Sequence, residues 1–149
     1  MKNIVLKNTI TAISLLLAIG YVESVSAHTQ SGTLGSAAGA TDLYQVLCSP
    51  DASPTAKLTS RVRTGTAVTA VKVSVRTQKG VKATNSTDNV NGDAISSPSV
   101  SNASGDGIYF MTVGKTVWTK VAVPYTLDFH CQSSAGEHTG TDWFTLQNQ

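Results

Sequence analysis

Tyr125-Thr126-Leu127-Asp128-Phe129-His130-Cys131 alternates without a break, with Tyr125, Leu127, Phe129 and Cys131 on one side and Thr126, Asp128 and His130 on the other. Successive strand side chains point to opposite faces of a sheet, so the stretch reads as a half-buried β-strand ending in an inward cysteine. A second run, Leu43 to Cys48, puts Tyr44, Val46 and Cys48 on one face and also closes on a cysteine. Cys48 and Cys131 are the two cysteines of the chain. Two strands from opposite ends of a domain, each finishing in an inward cysteine, predict a stapled β-sandwich.

The neighbouring segments carry the same period. Lys57 to Arg63 sets Leu58, Ser60 and Val62 against Lys57, Thr59, Arg61 and Arg63, and Gly65 breaks the run. Val71, Val73 and Val75 then oppose Lys72, Ser74 and Arg76, and Gln78-Lys79-Gly80 reads as a turn. Ile108 to Val113 is apolar on both faces, which predicts a central strand. Asp142 to Leu146 follows the polar loop Ser133 to Gly140 and closes the sheet. Ala83 to Ala103 is rich in Asn, Ser and Asp, with Val90, Ile95 and Val100 as its apolar residues; a loop of that length serves a function or hides short strands. Residues 28–41 are Gly, Ala, Ser and Thr without periodicity. They read as a weak edge strand or a flexible leader, and the domain division adopted is a leader over 28–41 and a sandwich over 42–149. Several short strands between turn clusters, with no sustained helical period, predict one all-β antiparallel sandwich or jelly roll with a single disulfide.

The N-terminus reads as a processing signal over residues 1–27. Lys2 and Lys7 precede an apolar run from Ile10 to Val22, and Val25-Ser26-Ala27 supplies the small residues that a signal peptidase requires. Cleavage after Ala27 leaves His28 first in a mature chain of about 120 residues, enough for one core. The run is short for a membrane span and no second one follows, so the expectation is an exported protein, periplasmic or extracellular. A cysteine pair behind such a signal points to an oxidising compartment and a disulfide. Closing a loop of roughly eighty residues stabilises by roughly 4 kcal/mol in the chain-entropy model.

Asp42-Leu43-Tyr44 at the head of a first strand, Gly107-Ile108-Tyr109 leading to Val113, and Tyr125-Thr126-Leu127 in a late strand together resemble the bacterial pre-peptidase C-terminal domain. The resemblance covers Asp42 to Cys131 and implies a small accessory β-sandwich of exported enzymes, without catalytic residues of its own. A fainter resemblance lies at the ends of the chain. His28, His138, Gly140 and Phe144 are placed as in periplasmic copper-binding proteins of the CopC type, which begin with histidine after signal cleavage. That resemblance implies copper as a ligand. The chain departs from the pattern at Gly136, where an acidic residue is expected two before the histidine.

Read residue by residue, the chain offers three chemistries. An N-terminal His28 joins an α-amine to an imidazole, a chelating pair suited to Cu(II), and His138 or His130 could complete a nitrogen set. The leader is expected to hold His28 too far from His138 for the two to share an ion. Asp88-Asn89-Val90-Asn91-Gly92-Asp93 gathers oxygen donors but lacks EF-hand spacing and reads as an Asx-rich turn. Arg61, Arg63, Lys72 and Arg76 all point outward; if their two strands pair, they form a positive face for an anionic polysaccharide or an acidic surface partner. No aromatics are interleaved with these charges, so nucleic acid is not expected. There is no Gly-x-Ser-x-Gly elbow, and no spacing brings two carboxylates together. The function expected is therefore a non-catalytic exported binding or structural module without a cofactor, the alternative being a copper-binding protein that uses His28.

Overall fold

The computed structural model describes residues 27–64 and 71–149. The residues read from the sequence as a processing signal, up to Ser26, and Gly65 with the five residues after it, lie outside the described residues. Among the described residues there are nine strands and no helix, so none is long and apolar enough to cross a membrane. The strands are β1 (His28–Leu34), β2 (Thr41–Ser49), β3 (Lys57–Thr64), β4 (Val73–Lys79), β5 (Lys82–Thr87), β6 (Val100–Asn102), β7 (Gly107–Lys115), β8 (Val123–Gln132) and β9 (Gly140–Gln147).

Two antiparallel sheets pack face to face. One has the order β1-β8-β3-β6, the other β5-β4-β7-β2-β9. The alternation in β8 buries Val123, Tyr125, Leu127, Phe129 and Cys131 and leaves Thr126, Asp128 and His130 on the outer face. Leu58 and Val62 of β3 join them from the same sheet. Tyr44 and Val46 of β2, Tyr109, Met111 and Val113 of β7, and Val73 and Val75 of β4 face them from the other. Cys48 and Cys131 are disulfide-bonded with Cα atoms 5.6 Å apart, so the staple joins β2 to β8 across the two layers.

Polar groups between the sheets are paired, as a low-dielectric interior favours. Ser60 and Thr77 hydroxyls meet at 2.8 Å between the sheets. Tyr125 donates to Asp42 Oδ2 at 2.5 Å, and Tyr44 donates in turn to the Tyr125 hydroxyl at 2.5 Å. The Gln149 amide closes the set on Asp42 Oδ1 at 2.8 Å, which ties the C-terminus to β2. Gly32 makes room for this network, because a Cβ there would collide with the Tyr125 ring.

One reading changes, and two that were open are decided. First, of the two readings of residues 28–41 the adopted flexible leader does not hold, and the weak edge strand does for His28–Leu34, which pairs residue for residue with β8 from His28 opposite Phe129 to Leu34 opposite Val123. Its backbone donors and acceptors are met by β8, so small polar residues suffice there and no apolar period is needed. Secondly, β3 and β4 lie in different sheets and do not pair. Arg61 and Arg63 therefore sit on the outer face of one sheet, while Arg76 and neighbouring Lys72 belong to the other side, and no joint positive face forms. Arg61 is moreover paired with Asp128 at 3.1 Å. Thirdly, the long polar stretch contains β5 and β6, while Val90 and Ile95 are exposed and bury nothing. The two-sided apolar run does become the middle strand of its sheet, although Ile108 and Phe110 stay exposed.

Candidate functional site

The three histidines of the chain are drawn to one end of the four-stranded sheet. His130 is fixed by the β8 alternation, on the outer face opposite Thr59 of β3. His138 arrives through the loop after β8. Gly136 there has φ +86°, a left-handed conformation that favours glycine. The Gly136 amide donates to Ser133 O at 3.1 Å and the Ser133 amide to Glu137 O at 2.8 Å. The chain thus folds back until Gln132 and His138 form a bridge. The residue that breaks the CopC-like pattern is the one that makes this turn. The His130 and His138 rings end up stacked, with centroids 4.4 Å apart and planes inclined by 13°.

His28 comes to the same end through β1. Its register opposite Phe129 sets its backbone beside that of His130, with Ala27 one step further. The His28 ring turns toward the space between the sheets. It stacks on Phe129 at 5.9 Å and meets the edge of Trp143 from β9 at 4.9 Å. Ala27 and His130 both line a surface pocket of about 160 Å³, together with Thr59, Ser60, Arg61, Ser99 and Asp128.

The two stacked rings shift in the same direction. Burial pushes His130 down to about 4, with His138, Arg61, His28 and Lys57 adding positive potential. His138 is lowered as well, by burial first and then by His28. Neutral imidazoles keep a nitrogen lone pair free at physiological pH, which is the state that ligates a metal. Among the described residues His28 Nδ1 and His130 Nδ1 are buried with no hydrogen-bond partner. Buried polar atoms are almost always paired, so the orphan nitrogen of His130, beside the His138 ring, fits a ligand role, while that of His28 lies on the inner face near Trp143.

A preformed cage is absent: among the described residues no three His, Cys, Asp or Glu side chains converge as a metal site. The stacked planes explain why. Lone pairs lie in the plane of each ring, so parallel rings aim past one another, and a shared ion requires one ring to rotate about its Cβ–Cγ bond. The donor set is otherwise apt for Cu(II), which prefers nitrogen ligands in a tetragonal field.

The other candidate residues are occupied. Asp88 Oδ2 accepts from the Thr64 amide and hydroxyl at 2.7 and 2.8 Å, and its Oδ1 accepts from the Val90 amide at 3.2 Å. Asp93 Oδ1 caps the Ile95 amide at 3.0 Å. Both carboxylates act as turn anchors. Of the four basic residues, Arg61 alone adjoins the histidine cluster. Asp128 beside His130 follows from the alternation of β8, but sequence reasoning did not find Trp143 against His28, nor Thr59 beside His130, because these contacts depend on register and on which edges align. No protein-family model matches the chain, and neither does any curated protein.

Proposed function

We propose that this chain is an exported, non-catalytic binding module whose ligand is a divalent transition metal, copper foremost, held by His130 and His138 with help from His28. One observation carries the reading: the His130 and His138 rings stack at 4.4 Å beside the start of β1. The disulfide between the sheets suits an oxidising compartment, where the chain would be processed after Ala27. Processing there would free the His28 α-amine next to His130 and supply a further nitrogen. The resemblance to CopC-type proteins points the same way, while the resemblance to pre-peptidase C-terminal domains contributes an accessory sandwich role without a ligand.

The roles divide by element. His130 on β8 provides a fixed imidazole, held by the strand. His138, on a loop turned by Gly136, is the adjustable partner that rotates onto the ion. His28 would chelate through its amine and Nδ1, in exchange for its ring contact with Trp143. Calorimetric titration of Cu(II) into protein beginning at His28 tests this. The expected result is one equivalent bound, weakened at least tenfold by His130→Ala and by His138→Ala. Copper binding that neither substitution alters would remove the metal from the reading and leave a binding module of another kind.

A further inference from the structure

The end of the sandwich where β8 begins, opposite the end that holds His130, carries exposed apolar side chains on its loops. Val117 and Trp118, between β7 and β8, are exposed by 52 % and 85 %. Val90 and Ile95, between β5 and β6, are exposed by 60 % and 71 %. Hydrogen bonds put this second loop at the same end. The Asp88 amide donates to Val73 O at the start of β4, and the Gly92 amide donates to the hydroxyl of Thr64, which is opposite Tyr125 near the start of β8. Four apolar side chains gathered at one end, and burying nothing there, mark contact with something outside the chain.

The loop that carries Trp118 is clamped. The Lys115 ammonium reaches four carbonyl oxygens, those of Gly35, Ala37, Thr119 and Val121, at 2.8, 2.9, 3.0 and 2.9 Å. Gly35 and Ala37 precede β2, while Thr119 and Val121 precede β8, so one lysine ties two loops together beside Trp118. The indole passes over Gly39, where a Cβ would lie 3.4 Å from the ring. Trp118 is thus held out in solvent by a fixed loop, and a preorganised anchor loses little freedom on binding.

Charge decides what the anchor meets. Lys72, whose carbonyl accepts from the Thr116 amide at 3.0 Å, and Lys120 are both exposed beside the loop. Residues 35–41 and 115–122 contain no Asp or Glu. Asp42 and Asp88 are buried and hydrogen-bonded, and Asp93 lines a pocket with Arg63. A sugar platform needs carboxylates or amides near the ring to meet hydroxyls, and none lines the pocket of about 230 Å³ beside Trp118. An indole with aliphatic neighbours and exposed lysines matches instead the boundary of an anionic lipid surface. Tryptophan prefers the headgroup level there, and lysine is drawn to the lipid charge.

We infer that the protein docks on anionic lipid surfaces through Trp118 and Val117, with Val90 and Ile95 beside them and Lys72 and Lys120 on the headgroups. The inference is independent of the metal reading, because His130 sits at the far end of β8. Its test is co-sedimentation of the protein beginning at His28 with phosphatidylcholine vesicles that contain about one-third phosphatidylglycerol. The expected binding falls at least tenfold in Trp118→Ser and roughly fivefold in Lys120→Gln, and is lost on pure phosphatidylcholine. In Trp143→Phe, which leaves Trp118 as the only tryptophan, the mixed vesicles should shift the emission to the blue. No binding to the mixed vesicles, equal binding by Trp118→Ser, or an emission that the vesicles leave in place would each overturn the inference. So would retardation in an alginate gel that Trp118→Ser abolishes, in protein that no vesicle binds, because the loop would then be a sugar platform.

Discussion

His130 and His138 lie ring on ring, 4.4 Å apart, although one belongs to the outer face of a central strand and the other to a loop. Two imidazoles at that separation cannot both carry a proton without repulsion. His130 accordingly titrates at about 4, below its ordinary 6.5, through burial first and then the positive charge of His138, Arg61, His28 and Lys57.

The sign of the pH dependence follows. Above pH 6.5 the ring is neutral in both folded and unfolded chains and contributes no slope. Between 6.5 and about 4 the unfolded chain binds a proton that the folded one refuses, so stability falls as pH falls. His138, lowered in the same direction by burial and His28, adds to the loss. The melting temperature of the metal-free protein should therefore drop as pH is lowered across this window. His130→Gln should flatten the drop, which thermal melts over a pH series will measure.

The disulfide ties the two sheets together through side chains. Native protein should show no titratable thiol, and Cys48→Ser should lower stability by about 2–4 kcal/mol in chemical denaturation. A free thiol in the native protein would contradict the pairing of Cys48 with Cys131.

Strand faces make a graded prediction. Leu127→Ala and Phe129→Ala should each cost about 2–5 kcal/mol, since both side chains are fully buried. Thr126→Ala should stay within about 0.5 kcal/mol. Asp128→Ala should cost nearer 1 kcal/mol, because Asp128 accepts from Arg61 Nε at 3.1 Å and from the Thr29 hydroxyl at 2.9 Å.

Asp42 is the centre of the buried polar network. Asp42→Ala strips acceptors from the Tyr125 hydroxyl and the Gln149 amide at once and should cost about 3 kcal/mol. Tyr44→Phe removes one donor at the end of the chain of bonds and should cost about 1 kcal/mol. Urea unfolding of the two variants side by side checks the order.

Period-two alternation made β2, β3, β4 and β8 legible in the sequence, because each buries one face and exposes the other, while β7 showed as a two-sided apolar run and β9 as the stretch after a polar loop. It could not reveal β1, β5 or β6. Those strands are built of Gly, Ser, Thr and Asn, and their backbones are satisfied by a neighbouring strand instead of a buried stripe of their own. Alternation also tells which way a side chain points but not which sheet it belongs to. Arg61 and Arg76 both point outward, and they do so from opposite sides of the sandwich. The candidate site shows the same limit. His28, His130 and His138 were each visible as nitrogen donors, but their meeting depends on the register of β1 against β8 and on the turn at Gly136. Ile108 and Phe110 signalled a middle strand correctly, although both stay exposed on its outer face.

The meeting of the two ends of the domain is best tested by a cycle on copper affinity. Cu(II) binding is measured in protein beginning at His28, in the same protein with its α-amine acetylated, in His138→Ala, and in the two changes combined. If the amine and His138 serve one ion, each change alone weakens binding at least tenfold, and the combined loss falls short of the sum of the single losses in free energy. Copper affinity that His138→Ala leaves unchanged, with all of the loss confined to the acetylated terminus, would mean that the ion rests on the terminus alone and that the histidine cluster is not a metal site.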